Sequence, residues 1–175
     1  GGAGNDTAVM AANLTYGTTI VGGEGTDTLQ ITAAANASAG SVVSGFEVLD
    51  LNYANDADLD NFANNTFTTV SLGAFDYGEI DSIRNETIEI GAVLGGTVTL
   101  DLESDSGSSD SISLELSGND AVDQGNGITI AAVETINILT TDDDNEGYQL
   151  KTLDTLVAAA ADKIVITGDS GISLS

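Results

Sequence analysis

The residues with the clearest chemistry are the nine from Gly22 to Gln30, which spell Gly-Gly-Glu-Gly-Thr-Asp-Thr-Leu-Gln. They match the repeat pattern G-G-x-G-x-D-x-U-x, where U is a large apolar residue, at every specified position. Glycines allow tight turns that aim carbonyl oxygens inward, and the carboxylate adds charge. Together they supply the all-oxygen shell that calcium prefers. The segment therefore predicts Ca2+ binding by Gly23, Gly25 and Asp27.

A near copy of this pattern occupies Gly1–Val9, with Ala8 where the pattern has a large apolar residue. The two copies begin 21 positions apart, which is close to one coil of roughly eighteen residues plus a small insertion. Asp6 and Asp27 are then expected to stack on successive coils and share one ion. The alternative is that each segment is only a flexible turn in a chain with 21 glycines. The candidate ligands of the first copy are Gly2, Gly4 and Asp6.

A different acidic segment, residues 55–61, imitates the first half of an EF-hand loop, with aspartates at loop positions one, three and five. The imitation ends there, because position six is Asn61 instead of glycine and position twelve is Phe67 instead of a bidentate glutamate. The segment predicts a looser calcium site, with a solvated loop as the alternative. Its candidate ligands are Asp56, Asp58 and Asp60.

A second acidic turn runs from Asp142 to Glu146 and contains four acids in five positions. Crowded like charges attract a cation, so Asp142 and Asp144 are further candidate metal ligands. A plainly solvated loop is an equal alternative.

The composition excludes several classes of function. The chain has no Cys and no His, so it has no ligands for tetrahedral zinc or iron–sulfur sites, no thiol nucleophile and no histidine triad. A net charge of −25, with only three Lys and Arg, repels nucleic acid.

Paired carboxylates of a glycosidase are not excluded, but such clefts use aromatic platforms, and Trp is absent. No apolar run is long enough to span a membrane. The prediction is a protein that is not an enzyme.

The same charge poses a problem for folding. A hydrophobic fraction of 41% and many β-branched residues favour a packed core over disorder, yet dense negative charge destabilises a compact state. Bound divalent cations are one remedy, and screening by high salt is the competing explanation. Because the chain has no Cys, bound metal ions instead of disulfides are the expected source of its stability. This composition suits a secreted, extracellular bacterial surface protein.

Short runs with alternating apolar residues, separated by Gly, Asn, Asp or Ser, predict strands throughout the chain. The predicted strands are residues 7–11, 18–21, 28–32, 46–51, 68–72, 87–92, 97–102, 111–116, 127–130, 133–139, 163–166 and 171–174. Helix signals are weak: residues 153–161 suit either a helix or, slightly better, an Ala-rich corner, and residues 53–62 and 72–77 suit short helical turns. The predicted fold class is all-β, a calcium-stabilised β-solenoid or parallel β-roll with little helix.

A subtler repeat joins the segments 45–51, 84–90 and 132–138, each of which has a glutamate just before an alternating Leu/Ile strand. A spacing of about forty to fifty residues indicates supersecondary units that are too small to bury their own apolar faces. The glutamates can cap a turn, bind a cation or simply face solvent. They are Glu47, Glu86 and Glu134.

The C-terminal segments Val133–Ile138, Leu153–Leu156 and Lys163–Asp169 resemble the repeat of RTX-type bacterial S-layer proteins, in which a "VETxNI" strand precedes an Ala-rich rung and a "VxVTG" rung. The N-terminal GGxGxD segments are shared by the wider RTX group of adhesins, toxins and hydrolases, although here they are not in tandem. The predicted organisation is one β-solenoid region over residues 1–175, a piece of a longer repetitive protein. It comprises an RTX-like part (1–50), an irregular middle (51–126) and an S-layer-type repeat (127–175).

The resemblance implies a structural protein of the cell exterior, exported by type I secretion, that self-associates into a calcium-dependent two-dimensional lattice. It also implies anchoring to cell-surface polysaccharide through regions outside this chain. Two alternatives remain open: an RTX adhesin module that binds a surface or glycan, and the calcium-binding secretion tail of a secreted RTX hydrolase. No nucleic-acid partner and no transmembrane segment are expected.

Overall fold

The chain folds as a nearly all-β solenoid of parallel strands. The computed structural model describes residues 1–33, 41–52, 56–72, 78–117, 127–141 and 150–174. Within these ranges every strand pairing is parallel, and each coil adds one strand to a long sheet. The predicted all-β solenoid architecture is therefore confirmed.

One side of the solenoid is an eight-stranded sheet to which each coil contributes one strand. In spatial order the strands are β1 (Thr7–Met10), β3 (Thr28–Ile31), β5 (Val48–Leu51), β7 (Thr69–Leu72), β9 (Thr87–Ile90), β11 (Ser111–Leu116), β13 (Thr135–Thr140) and β16 (Lys163–Gly168). Because no later strand is inserted between earlier ones, the order along this sheet is also the order along the sequence.

The remaining strands form three smaller sheets on the other sides of the coils. A five-stranded sheet contains β6 (Ala57–Asp58), β8 (Gly78–Ile83), β10 (Val98–Leu102), β12 (Gly127–Ile130) and β15 (Thr155–Val157). Two strand pairs complete the solenoid: β2 (Thr19–Val21) with β4 (Val42–Ser44), and β14 (Leu150–Leu153) with β17 (Gly171–Leu174). A 3-10 helix spans Leu59–Phe62, and no helix in the described ranges is long and apolar enough to cross a membrane.

The register places the two GGxGxD segments on successive coils. Thr7 pairs with Thr28, and Thr28 pairs with Val48, so the residues just before these strands, Asp6, Asp27 and Glu47, follow one another along one edge of the sheet. Asp6 and Asp27 thus lie on successive coils, as predicted, whereas the sharing of one ion stays a prediction.

The core is built from columns of aliphatic side chains that point into the coils. Successive residues of a strand face opposite sides, so in the inner strands of the eight-stranded sheet every second residue enters the interior. One such column is at most 1% exposed throughout and consists of Leu29, Leu49, Val70, Ile88, Leu114 and Ile138. No coil can bury its apolar residues alone, because the cover of each comes from the coils before and after it.

The sequence-based strand predictions agree closely with the structure in the eight-stranded sheet, including β11 with both of its ends. Residues 153–161 form the end of β14, strand β15 and a turn, so the corner is confirmed and the helix alternative is wrong. The helical turn expected within residues 53–62 exists at Leu59–Phe62. The turn expected over residues 72–77 lies outside the described residues except for Leu72, which ends β7.

Candidate metal site

The two glycine-rich turns lie directly on one another at the edge of the eight-stranded sheet. The Gly4 amide donates to the Glu24 carbonyl at 2.7 Å, and the Glu24 amide donates to the Gly2 carbonyl at 2.8 Å. Gly4, Gly23 and Gly25 have φ values of 111°, 132° and 142°, a region that side-chain-bearing residues avoid. The glycines of the pattern therefore hold backbone conformations that few other residues would adopt.

Asp27 has the most unusual environment in the first two coils, because its side chain is completely buried. Its Oδ1 accepts a hydrogen bond from the Asp6 amide at 2.8 Å, and its own amide donates to Glu47 Oε2 at 2.8 Å. Its Oδ2 is buried and accepts no hydrogen bond from the described part of the chain. A buried carboxylate oxygen without a donor can be satisfied by a water molecule or a cation.

Other oxygens surround this position. A methyl group added at Gly22 would come within 2.6 Å of Asp27 Oδ2 and would also overlap the Gly45 carbonyl oxygen. A methyl group at Gly1 would overlap both Asp6 Oδ2 and the Gly22 carbonyl oxygen. Carboxylate and carbonyl oxygens thus converge at sites that only glycine leaves open. An all-oxygen donor set fits a hard cation such as Ca2+.

The structure thus brings the predicted residues of both copies together: Gly2, Gly4 and Asp6 from one turn, and Gly23, Gly25 and Asp27 from the next. Asp6 Oδ2 also accepts a hydrogen bond from the Gly2 amide at 3.0 Å. Sequence reasoning missed Asn5, whose Oδ1 accepts from the Thr26 amide at 3.1 Å and ties the two turns together. Whether these residues hold calcium stays a prediction.

The repeated glutamates cap backbone amides in the turns. Glu47 accepts a hydrogen bond from the Asp27 amide, and Glu134 accepts one from the Asp110 amide, both at 2.8 Å. In each pair the aspartate lies one coil before the glutamate. Glu86 is buried and accepts from the Arg84 and Asn85 amides of its own turn. The repeat of forty to fifty residues is therefore two coils long, with its glutamates before β5, β9 and β13.

The EF-hand-like aspartates are engaged separately. Asp56 Oδ1 accepts from the Glu79 amide, and Asp58 Oδ1 accepts from the Asp60 amide and the Ser82 hydroxyl. Asp60 forms an ion pair with Arg84. The three aspartates therefore do not form one shared coordination shell in the structure, and calcium binding by them stays a prediction. Asp142 and Asp144 lie outside the described residues.

A cluster of three carboxylates that the sequence did not predict lies on the five-stranded sheet. One carboxylate oxygen from each of Glu79, Asp81 and Asp101 lies within 4.8 Å of the others. Partial burial raises the pKa of Asp81, and the negative charges of Glu79 and Asp101, then Asp58 and Asp56, raise it further. Sequence reasoning missed this group because β8 has no regular alternation and its acids meet Asp101 only through strand pairing.

Arg84 links acids from two further coils. Its guanidinium forms ion pairs with Glu103, at 2.7 Å, and with Asp60. The hydrogen bond to Glu103 is the main reason why the pKa of Arg84 is raised further above its usual value. One of only three cationic residues is therefore committed to neutralising two acids.

No protein-family model matches the chain, and no curated protein matches its sequence.

Proposed function

We propose that this chain is a calcium-dependent structural β-solenoid of a secreted bacterial surface protein. The observation that carries the proposal is the Oδ2 of Asp27, which is buried and accepts no hydrogen bond from the described residues. Gly22 separates this oxygen from the Gly45 carbonyl oxygen. A buried polar atom that makes no hydrogen bond is destabilising. A calcium ion there would satisfy this oxygen and join successive coils.

The distribution of charge supports the same proposal. The chain has 28 acidic and three basic residues, and stacked strands bring several acids side by side, as in the pairs Glu89 with Glu115 and Asp58 with Asp81. Like charges on neighbouring strands repel. Bound divalent ions would offset that repulsion, and ions on the outer faces would bridge neighbouring molecules into a lattice.

The experiment is a calcium titration followed by circular dichroism and light scattering. Chelation is expected to loosen or unfold the protein, and Ca2+ to restore the β-sheet spectrum at low concentration and then raise particle size. Mg2+ serves as the matched control, since it requires near-octahedral geometry and loses water reluctantly. An unchanged spectrum and melting temperature on chelation would remove the structural role of calcium and leave salt screening as the explanation.

A ligand-binding adhesin module is the second candidate, favoured by a groove of about 540 Å³ at a corner of the solenoid. Its lining carries hydroxyl, amide and guanidinium groups from Thr66, Thr68, Asn85 and Arg84, which suit the hydroxyls of a glycan. Two results together would favour the adhesin function over the lattice function: a particle size that never rises after folding, and binding of the folded monomer to a glycan array.

A further inference from the structure

Asp110 occupies in its coil the place that Asp27 occupies in the second coil. Both residues precede a strand of the eight-stranded sheet, and each amide donates at 2.8 Å to a glutamate of the next coil. The return bonds also correspond. The Asp27 carbonyl accepts hydrogen bonds from the Glu47 and Val48 amides at 3.1 and 3.0 Å. The Asp110 carbonyl likewise accepts from the Glu134 and Thr135 amides at 3.2 and 3.0 Å.

The two aspartates also share an unsatisfied oxygen. Asp110 Oδ2 is buried and accepts no hydrogen bond from any described residue, as is true of Asp27 Oδ2. A cavity of about 250 Å³ adjoins Asp110, with Glu103, Ser104 and Ser109 among its lining residues. The space exceeds the volume of one water or one ion, and the unsatisfied oxygen belongs to a residue that lines it.

We propose that Asp110 holds a second calcium ion in the turn between β10 and β11, beside this cavity. Asp110 Oδ2 would be its charged ligand, and the Ser104 and Ser109 hydroxyls, loop carbonyls and water would complete an oxygen shell. Arg84 also lines the cavity, but its charge is already offset by Asp60 and Glu103. The identity of the ion rests on the proposed function, whereas the position of the site rests on Asp110.

The loop sequence explains why pattern matching does not find this site. Residues 103–110 spell Glu-Ser-Asp-Ser-Gly-Ser-Ser-Asp and lack the paired glycines of the GGxGxD pattern. The single glycine still lies against the ligand, because a Cβ at Gly107 would be 3.1 Å from Asp110 Oδ2. The equivalence of Asp27 and Asp110 becomes visible only through the hydrogen bonds between coils.

Calorimetric titration with Ca2+ tests the site in the full chain. Asp110→Asn keeps the size of the side chain and removes its charge, and it is expected to bind one ion fewer than the wild type. Asp27→Asn is expected to lose a different ion, so that the double variant loses two. The matched control is Asp105→Asn, since Asp105 is an exposed acid of the same loop that does not line the cavity.

The outcomes separate this proposal from the proposed function. If Asp27→Asn loses an ion and Asp110→Asn does not, the Asp110 site is overturned and the calcium-dependent solenoid stands. If Asp110→Asn loses an ion although chelation leaves the wild-type spectrum unchanged, the Asp110 site stands and the structural role of calcium falls. An equal loss in Asp105→Asn would also overturn the Asp110 site.

A measurement on the wild-type protein removes any dependence on whether Asp110→Asn folds. Mn2+ is a paramagnetic probe that shares the preference of Ca2+ for carboxylate, carbonyl and water ligands. Small amounts of Mn2+ are expected to broaden the amide resonances of Ser104, Ser109 and Asp110 as well as those around Asp27. Broadening around Asp27 with sharp resonances in the 103–110 loop would overturn the Asp110 site.

Discussion

At the scale of single residues, the turn between β2 and β3 depends on the absence of side chains where oxygens converge. Gly22 is buried between the Gly45 carbonyl and the Asp27 carboxylate. Replacing its hydrogen by a methyl group would force backbone atoms apart, because a carbonyl oxygen, unlike a flexible side chain, cannot rotate away.

We therefore expect Gly22→Ala to lower the free energy of unfolding by about 1–3 kcal/mol and to weaken calcium binding. Denaturant unfolding at a fixed calcium concentration measures the first effect, and calorimetric titration measures the second. Gly2→Ala is the matched control for the unfolding measurement, since nothing lies within 4 Å of its Cβ position. Equal losses in both variants would mean that the overlap with the Gly45 carbonyl oxygen is not what makes Gly22→Ala destabilising.

The sequence predicts the candidate site only where its ligands are close together in the chain. The GGxGxD spacing identifies Asp6 and Asp27 because the turn and its carboxylate lie within six residues. Asp110 and the group of Glu79, Asp81 and Asp101 depend on contacts between coils. Such contacts are set by strand register, which a local pattern does not contain.

At the scale of elements, the turn before β13 holds an alanine in a glycine-like conformation. Ala132 has a φ of 48°, in the left-handed region where Cβ crowds the following carbonyl oxygen. The Val133 side chain that follows is 1% exposed and so fixed in the core. The stacking of β11 and β13 thus holds the turn in an unfavourable backbone conformation.

Ala132→Gly is expected to raise the free energy of unfolding by about 0.5–1 kcal/mol, because relief of this strain exceeds the added entropy of the unfolded chain. Thermal or denaturant unfolding measures the change. Ala131→Gly is the control, since Ala131 has an ordinary negative φ, and it is expected to lower stability by about 0.4–1 kcal/mol. A loss of stability in Ala132→Gly would contradict the strain assigned to this turn.

The sequence predicts the long strands well and the short ones poorly, for a physical reason. β5 and β11 combine β-branched or aliphatic residues with strict alternation. β6 has only two residues, and β8 contains Ser82 at a φ of 63° beside a shift of register against β10. These strands form because neighbouring coils offer them backbone partners, so their presence follows from stacking more than from their own residues.

At the scale of the whole molecule, acids on one sheet act together. Asp81 lies beside Glu79 and Asp101, with Asp56 and Asp58 nearby, and its pKa is raised by burial and then by these charges. The folded protein therefore binds the proton of Asp81 more tightly than the unfolded chain does. The resulting destabilisation is present above the folded-state pKa and disappears as the pH falls below the unfolded value of about 3.8.

Asp81→Asn is accordingly expected to raise the melting temperature at pH 7 and to have a smaller effect near pH 4. Melting curves at several pH values, with calcium and ionic strength constant, measure this difference. Asp162→Asn is the control, because it removes one exposed acid that is not part of the group. A gain at pH 7 that is equal in both variants would assign the effect to net charge alone.

The eight-stranded sheet makes the molecule resemble a short polyelectrolyte rod. Its strands follow one axis at steps of about 4.8 Å, so the first and eighth lie about 34 Å apart. Spread over that length, a net charge of −25 averages one charge per about 1.4 Å, a density similar to the roughly 1.7 Å of duplex DNA. By analogy with DNA, such a rod is expected to gather an atmosphere of counterions. If the turns bind calcium as proposed, sodium is expected to compete with it for that atmosphere, so that the apparent calcium affinity falls as the sodium concentration rises.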